Sequence, residues 1–292
     1  MLLRRIVPLV DFKSWLPRRF RRDVRVVPLV RLSGAIGMPA ALGRGSLSLS
    51  SIDATLKKAF SVGGAKAVAL AINSPGGSPV QSHLIFRRIR QLAAEKKLPV
   101  IAYVEDIAAS GGYMLACAAD EIVADRSSIL GSIGVVSATF GLDKAIARLG
   151  IDRRVYTAGT RKVTLDPFQP ENGEDVEHIK TLQRDIHAFF IELVKERRGA
   201  RLAEGEDLFS GLYWAGERSV SLGLADRIGT AHDDLATRYG DKVDIRLFEP
   251  GRSSFLRRRL FGTATGEAGG LVDFDNVLAA IERRSLFSRY GL

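Results

Sequence analysis

Two glycine-rich turns, each at the end of an apolar run, hold residue types suited to acyl-transfer chemistry. Ser74-Pro75-Gly76-Gly77 follows Ala67–Ile72, and Ser110-Gly111-Gly112 follows Pro99–Val104. Glycine lets main-chain N–H groups turn toward an anion or a carbonyl oxygen. Two such turns side by side would form an oxyanion hole. A helix over 111–119 would put Ser110 at its N-terminus, where the dipole favours a developing negative charge. Read alone, this pattern does not separate a nucleophile from an ordinary turn serine.

A serine nucleophile needs a base. The histidines are His83, His178, His187 and His232. His178 and His187 fall on or beside the polar side of a long helix, and His232 starts a late polar segment. His83 follows the first glycine turn, which leaves a place near the site open to it, but each of the four reads first as a surface or helix-face histidine. The other option is a lysine desolvated enough to lose its proton. Lys162 follows a strand-like stretch in Tyr156-Thr157-Ala158-Gly159-Thr160-Arg161-Lys162. On residue type alone it reads first as one surface lysine among many. Cys117 reads as a core thiol, and Tyr213 and Trp214 as packing aromatics. Asp120, Glu121 and Asp125 lack the company of a metal site, so neither a metal nor another cofactor is expected.

The elements that would position these residues alternate between strand and helix. Strands are expected at Val24–Ile36, Ala67–Ile72, Pro99–Val104, Ile122–Ala124 and Ile151–Tyr156. Helices are expected near 52–61, 79–96, 111–119, Leu142–Leu149 and Val176–Val194. The last repeats Val176, Ile179, Leu182, Ile186, Phe190 and Leu193 at helical spacing. Apolar runs without alternation suit strands buried on both faces, and the alternation of element types gives an α/β fold with parallel pairing.

Several blocks resemble, in order and spacing, the SppA family, the signal peptide peptidase A type of serine protease with a Ser/Lys dyad. They are INSPGG (72–77), AASGGYMLACAADEIVAD (108–125), GSIGV (131–135), YTAGTRKVTLDPF (156–168) and GLYWAGERSVSLGLADRIG (211–229). The resemblance implies Ser110 as nucleophile and Lys162 as general base. It implies Ser132 as the residue orienting the lysine, and the N–H groups of Gly76 and Gly111 as the oxyanion hole. It further implies a ClpP/crotonase-like fold with repeated ββα units, peptide substrates or signal-peptide remnants, and a homo-oligomer whose sites are shared between protomers. A crotonase-type acyl-CoA enzyme and a non-catalytic scaffold of the same fold are the rival readings.

Charge separates the ends from the middle. The 292 residues carry a net charge of +10; residues 1–31 hold nine bases and two acids, and residues 252–292 hold seven and four. The middle balances at 27 of each, which argues against a nucleic-acid-binding body. A basic arm over 1–24, a protease domain over 25–249 and an Arg-rich linker and tail over 250–292 are expected, with a docking helix at Val272–Ile281. Leu9, Phe12, Leu16 and Phe20 fall at helical spacing among bases. The arm is therefore either a membrane-surface segment or a solvated basic tail. No apolar run suits a transmembrane helix or a signal peptide. The expectation is a cytoplasmic protein, with peripheral inner-membrane contact through the arm left open. The single cysteine excludes an intramolecular disulfide.

Overall fold

The apolar run at Ala67 enters strand β2 (Val68–Ser74), in the interior of an eight-stranded sheet. The computed structural model describes residues 25–38, 46–249 and 285–291. The basic arm 1–24 and the proposed docking helix Val272–Ile281 lie outside them. The side chains of β2 enter two cores by turns. Val68, Leu70 and Ile72 pack on one face, and Ala67, Ala69 and Ala71 on the other. Such a strand has no polar side to show, which is why its sequence does not alternate.

The path through the sheet joins β6 (Tyr213–Ala215), β5 (Ile129–Gly131), β3 (Val100–Ala109), β2, β1 (Val26–Ser33) and β8 (Asp244–Phe248). Off this path, β4 (Glu121–Ala124) lies beside β3, and β7 (Arg227–Ile228) beside β4. Every pairing is parallel except β5 with β6. The long strand β3 serves two neighbours. Its residues 101–104 pair with β4, and its residues 107–109 pair with β5. The sheet forks there, and the second branch delivers the chain to Ser110.

Helices α1 (Leu49–Phe60), α2 (Pro79–Lys96) and α3 (Gly111–Ala116) contribute to the larger core. Ser78 caps α2 by accepting from the Gln81 N–H, and Pro79 fits the first helical turn, where its missing N–H costs nothing. A short α4 (Asp143–Arg148) has no buried residue. The long α5 (Gly173–Arg198) buries Phe190, Leu193, Val194 and Arg198, all near its end. Its earlier apolar positions Leu182 and Ile186 stay exposed, so the helix extends well beyond the core its periodicity suggests. After α6 (Gly216–Ser221), α7 (Ala231–Tyr239) covers the opposite face of the sheet with Leu235.

Buried polar groups clamp α3 in place. The Tyr113 hydroxyl donates to the Leu224 carbonyl at 2.8 Å. Arg197 of α5 donates to the carbonyls of Cys117 and Ala119, which follow the end of α3. Neighbouring Arg198, only 3% exposed, makes two bonds to Asp226 at 2.9 and 3.0 Å. Burial pushes the Asp226 carboxyl up, but Arg198 and the Ile122 N–H outweigh it and hold it below the usual carboxylate range. Cys117 is a core thiol, and burial pushes it up to about 12.

One expected strand does not form. Residues 151–156 have no regular structure, and Ile151 and Tyr156 are exposed. A strand needs a partner for its main-chain groups, and among the described residues no strand pairs with it. Strands β5, β6, β7 and β8 were not expected, because they are two to five residues long with no long apolar run to mark them. The first strand is also shorter than Val24–Ile36: β1 ends at Ser33, and Ile36 makes only isolated bridges to Leu47 and Gly77. Among the described residues, no helix is long and apolar enough to cross a membrane.

Candidate active site

Strand β3 ends against β5, and the chain then turns sharply into α3 at Ser110. The Ser110 N–H donates to the Gly131 carbonyl at 2.8 Å, so its main chain is still held by the sheet. Its φ of 52° and ψ of −122° lie outside the regions a side-chain-bearing residue normally occupies. Such strain persists only where the surroundings enforce it, and it gathers at functional sites. The effect resembles a nucleophile elbow, where a strained strand-to-helix turn lifts a serine hydroxyl clear of the backbone.

The surroundings that enforce it are the glycines. A side chain on Gly76 would bring its Cβ within 2.8 Å of both the Gly111 nitrogen and the Ser110 Cβ. Gly76 also has a φ of +99°. The two glycine turns therefore touch, and they can do so only without a Cβ at this position. As the first residue of α3, Gly111 has an N–H with no acceptor inside the helix. The Gly76 N–H points to the Ser74 Oγ at 3.2 Å, a long bond that a charged oxygen would outcompete.

Ser110 and Ser132 line one cavity of about 790 Å³, together with Gly77, Gly134, His187 and Tyr213. Ser132 directly follows β5 and has a φ of 51°. Its N–H donates to the Leu212 carbonyl at 2.7 Å. Met38, Pro75, Val135 and Val136 supply the apolar part of a mixed lining, beside the polar Ser78 and Ser210. Among the described residues, no group of three or more His, Cys, Asp and Glu could hold a metal ion.

Lys162 is not among the lining residues. It is exposed, in a turn where its N–H donates to the Gly159 carbonyl at 3.3 Å. The segment around it leaves large apolar side chains in solvent, with Phe140 at 81%, Leu149 at 73% and Tyr156 at 90% exposure. The fold of one chain thus gathers Ser110, Ser132, Gly76 and Gly111, while Lys162 is not among the residues that line their cavity.

Two cavity residues were read differently from sequence. His187 looked like a helix-face histidine, yet it lines the cavity and its Nε2 lies 3.0 Å from the Ile133 carbonyl. Tyr213 looked like packing, whereas it is 43% exposed on the cavity wall. No periodicity marks either one. Trp214, its neighbour, does pack against the core. His83 sits edge-on to Phe189 with ring centres 4.8 Å apart, and it is not among the lining residues of the cavity.

Comparison with known proteins adds an independent line. The model of "Peptidase family S49" matches residues 92–246. "Serine protease SPPA, chloroplastic" of Arabidopsis thaliana is 37% identical over 172 residues, covering 56% of this chain and 24% of that protein. A relative from Synechocystis, bearing a protease name, is 30% identical over 202 residues, covering 67% of this chain and 72% of its own length. The "Na(+)/H(+) antiporter NhaA" of Brucella melitensis is 52% identical over 288 residues, covering 96% of this chain. The chain spans 39% of the length of that protein and of its Brucella abortus counterpart. The antiporter name is that of the longer protein.

Proposed function

The chain belongs to peptidase family S49, and on that premise we propose that it is a serine endopeptidase acting through a Ser/Lys dyad. The SppA-like ClpP/crotonase-like domain is assigned to residues 25–249. The observation that carries the reading is Ser110, held at φ 52° in a strand-to-helix turn that lines a cavity of mixed polar and apolar character. A strained serine at that turn, flanked by glycine N–H groups, is poised for nucleophilic attack.

In the proposed cycle, Ser110 Oγ attacks the scissile carbonyl carbon and its proton passes to the neutral amine of Lys162. The carbonyl oxygen becomes an oxyanion held by the N–H groups of Gly76 and Gly111. The C–N bond then breaks, Lys162 returns the proton to the leaving amine, and an ester remains on Ser110. Water attacks that ester, giving a proton to Lys162. The acid product leaves as Ser110 regains its hydrogen. Ser132 orients the lysine amine.

A neighbouring protomer is the proposed source of Lys162. Support comes from the exposure of Lys162 and of Phe140, Leu149 and Tyr156 in the same segment. A docked neighbour would cover these side chains and exclude water from around the amine. The apolar part of the lining, from Met38, Pro75, Val135 and Val136, suits apolar peptides, including remnants of signal peptides.

A fluorophosphonate probe tests the nucleophile directly. Labelling on Ser110, lost in Ser110→Ala together with peptide hydrolysis, is the expected result. An unlabelled Ser110 in a chain that turns over an acyl-CoA thioester would move the protein to the crotonase reading.

A further inference from the structure

The cavity of Ser110 is not lined by the sheet and its loops alone. Leu286, Arg289 and Tyr290 also contribute to its wall. They belong to a short stretch in which 285–288 form a helical turn and 289–291 a further turn. Three contacts tie this stretch to the cavity. The Tyr290 hydroxyl donates to the Ser132 Oγ at 3.1 Å. The Tyr213 hydroxyl donates to the main-chain carbonyl of Arg289 at 3.0 Å. The Tyr213 and Tyr290 rings meet edge to face, with centres 4.8 Å apart and planes at 71°.

The chemistry of these contacts is that of a bound peptide. A tyrosine hydroxyl reaching a main-chain carbonyl recognises any peptide, whatever its side chains. An edge-on aromatic pair adds a preference for an apolar or aromatic side chain at the next position. Both groups on the cavity side come from β6 and the loop after β5, which the sheet holds rigidly. Ser132 matters most here, since its hydroxyl is the group proposed to orient Lys162.

We infer that the segment 285–291 is an internal ligand of the Ser110 cavity, which competes with peptide substrates and engages Ser132 until it is displaced. The competition with substrate rests on the peptidase reading; the docking itself does not. Neutral hydrogen bonds and one ring pair are individually weak. The segment is therefore an exchangeable occupant, and because it belongs to the same chain it competes as an intramolecular ligand. Tyr213 then has two roles: it holds the segment in the resting chain and clamps the substrate main chain once the segment has left.

The test uses the full chain carrying Tyr290→Ala together with Leu286→Asp, beside the unaltered chain. Hydrogen exchange reads docking without reference to catalysis. Amides in 285–291 should exchange slowly in the unaltered chain and faster in the variant, by about tenfold or more. A fluorescent synthetic peptide with the sequence of 285–291 should bind the variant more tightly than the unaltered chain. For an apolar fluorogenic peptide, KM should fall about tenfold in the variant with kcat nearly unchanged, and fluorophosphonate labelling of Ser110 should quicken to match. The free 285–291 peptide should then inhibit the variant competitively. Equal exchange in both chains, together with equal binding and equal labelling rates, would overturn the inference and leave the peptidase reading intact. Loosened exchange and tighter peptide binding in a chain that hydrolyses nothing would do the reverse.

Discussion

The turn that carries Ser110 is enclosed by neighbours, whereas the segment that carries Lys162 leaves its apolar side chains in solvent. Around Ser110, Gly76 and Gly111 approach so closely that no Cβ fits at Gly76. Tyr113, Met114 and Leu115, just beyond it, are buried. Around Lys162, α4 buries nothing and Tyr156 is 90% exposed. One half of the proposed dyad is completed by its own chain and the other is not. Fully burying one large apolar side chain is worth about 1.5–3 kcal/mol. Several such residues in this segment hold an energy comparable to the roughly 4–15 kcal/mol that association costs. The exposed segment thus has the composition of an interface, and the enclosed one that of a scaffold.

The largest expected effect falls on both halves equally. Ser110→Ala and Lys162→Ala should each lower peptide hydrolysis by about three orders of magnitude or more, with folding unchanged by circular dichroism. Mixing the two inactive variants under conditions of subunit exchange should restore activity. If sites are shared and pairing is random, the ceiling is about a quarter of the native rate. No recovery despite demonstrated exchange would remove the division of labour between protomers.

Next come the enclosed residues. Asp226→Asn strips Arg198 of its charged partner, and Arg198 is 3% exposed. The expected loss is about 3–5 kcal/mol in denaturant unfolding, because a buried charge is left uncompensated. Gly76→Ala should cost about 10²–10³ in kcat/KM through displacement of the Gly111 N–H. A variant with native kinetics would show that the Gly76 contact does not hold the oxyanion site.

Acid should weaken the scaffold in a defined direction. The Asp226 carboxyl is held below its ordinary range in the folded chain. A depressed carboxyl stabilises fully above its unfolded pKa of about 3.9, and that contribution fades as pH falls through the folded value. The melting midpoint should drop below about pH 4, and the drop should be shallower in Asp226→Asn. The smallest stability effect is expected in the exposed segment: Tyr156→Asp should change folding stability by no more than about 0.5 kcal/mol. It should nevertheless make activity dependent on protein concentration, which dilution assays with sedimentation would detect.

The central elements are legible through their chemistry. Ala67–Ile72 and Pro99–Val104 were legible because a strand buried on both faces must be apolar throughout. Helix α2 was legible from its spaced apolar residues, among them Ile85, Ile89 and Leu92, which the fold buries. The stretch 151–156 misled because its composition suits a strand, and composition does not supply a pairing partner. Strand β8 was missed for the opposite reason, since its short Asp244–Phe248 run is defined by its pairing with β1.

The candidate site divides along the same line. Sequence alone determined which residue types stand beside one another: Ser110 between Ala109 and Gly111, and Gly76 after Pro75. Those are local facts, written in chain order. The tertiary structure decided that Gly76 touches Ser110, that Ser132 shares its cavity, and that Tyr213 and Tyr290 meet there. These contacts join residues tens of positions apart in the chain. They exist because a forked sheet brings the ends of β2, β3 and β5 to one edge, and no local propensity encodes that convergence.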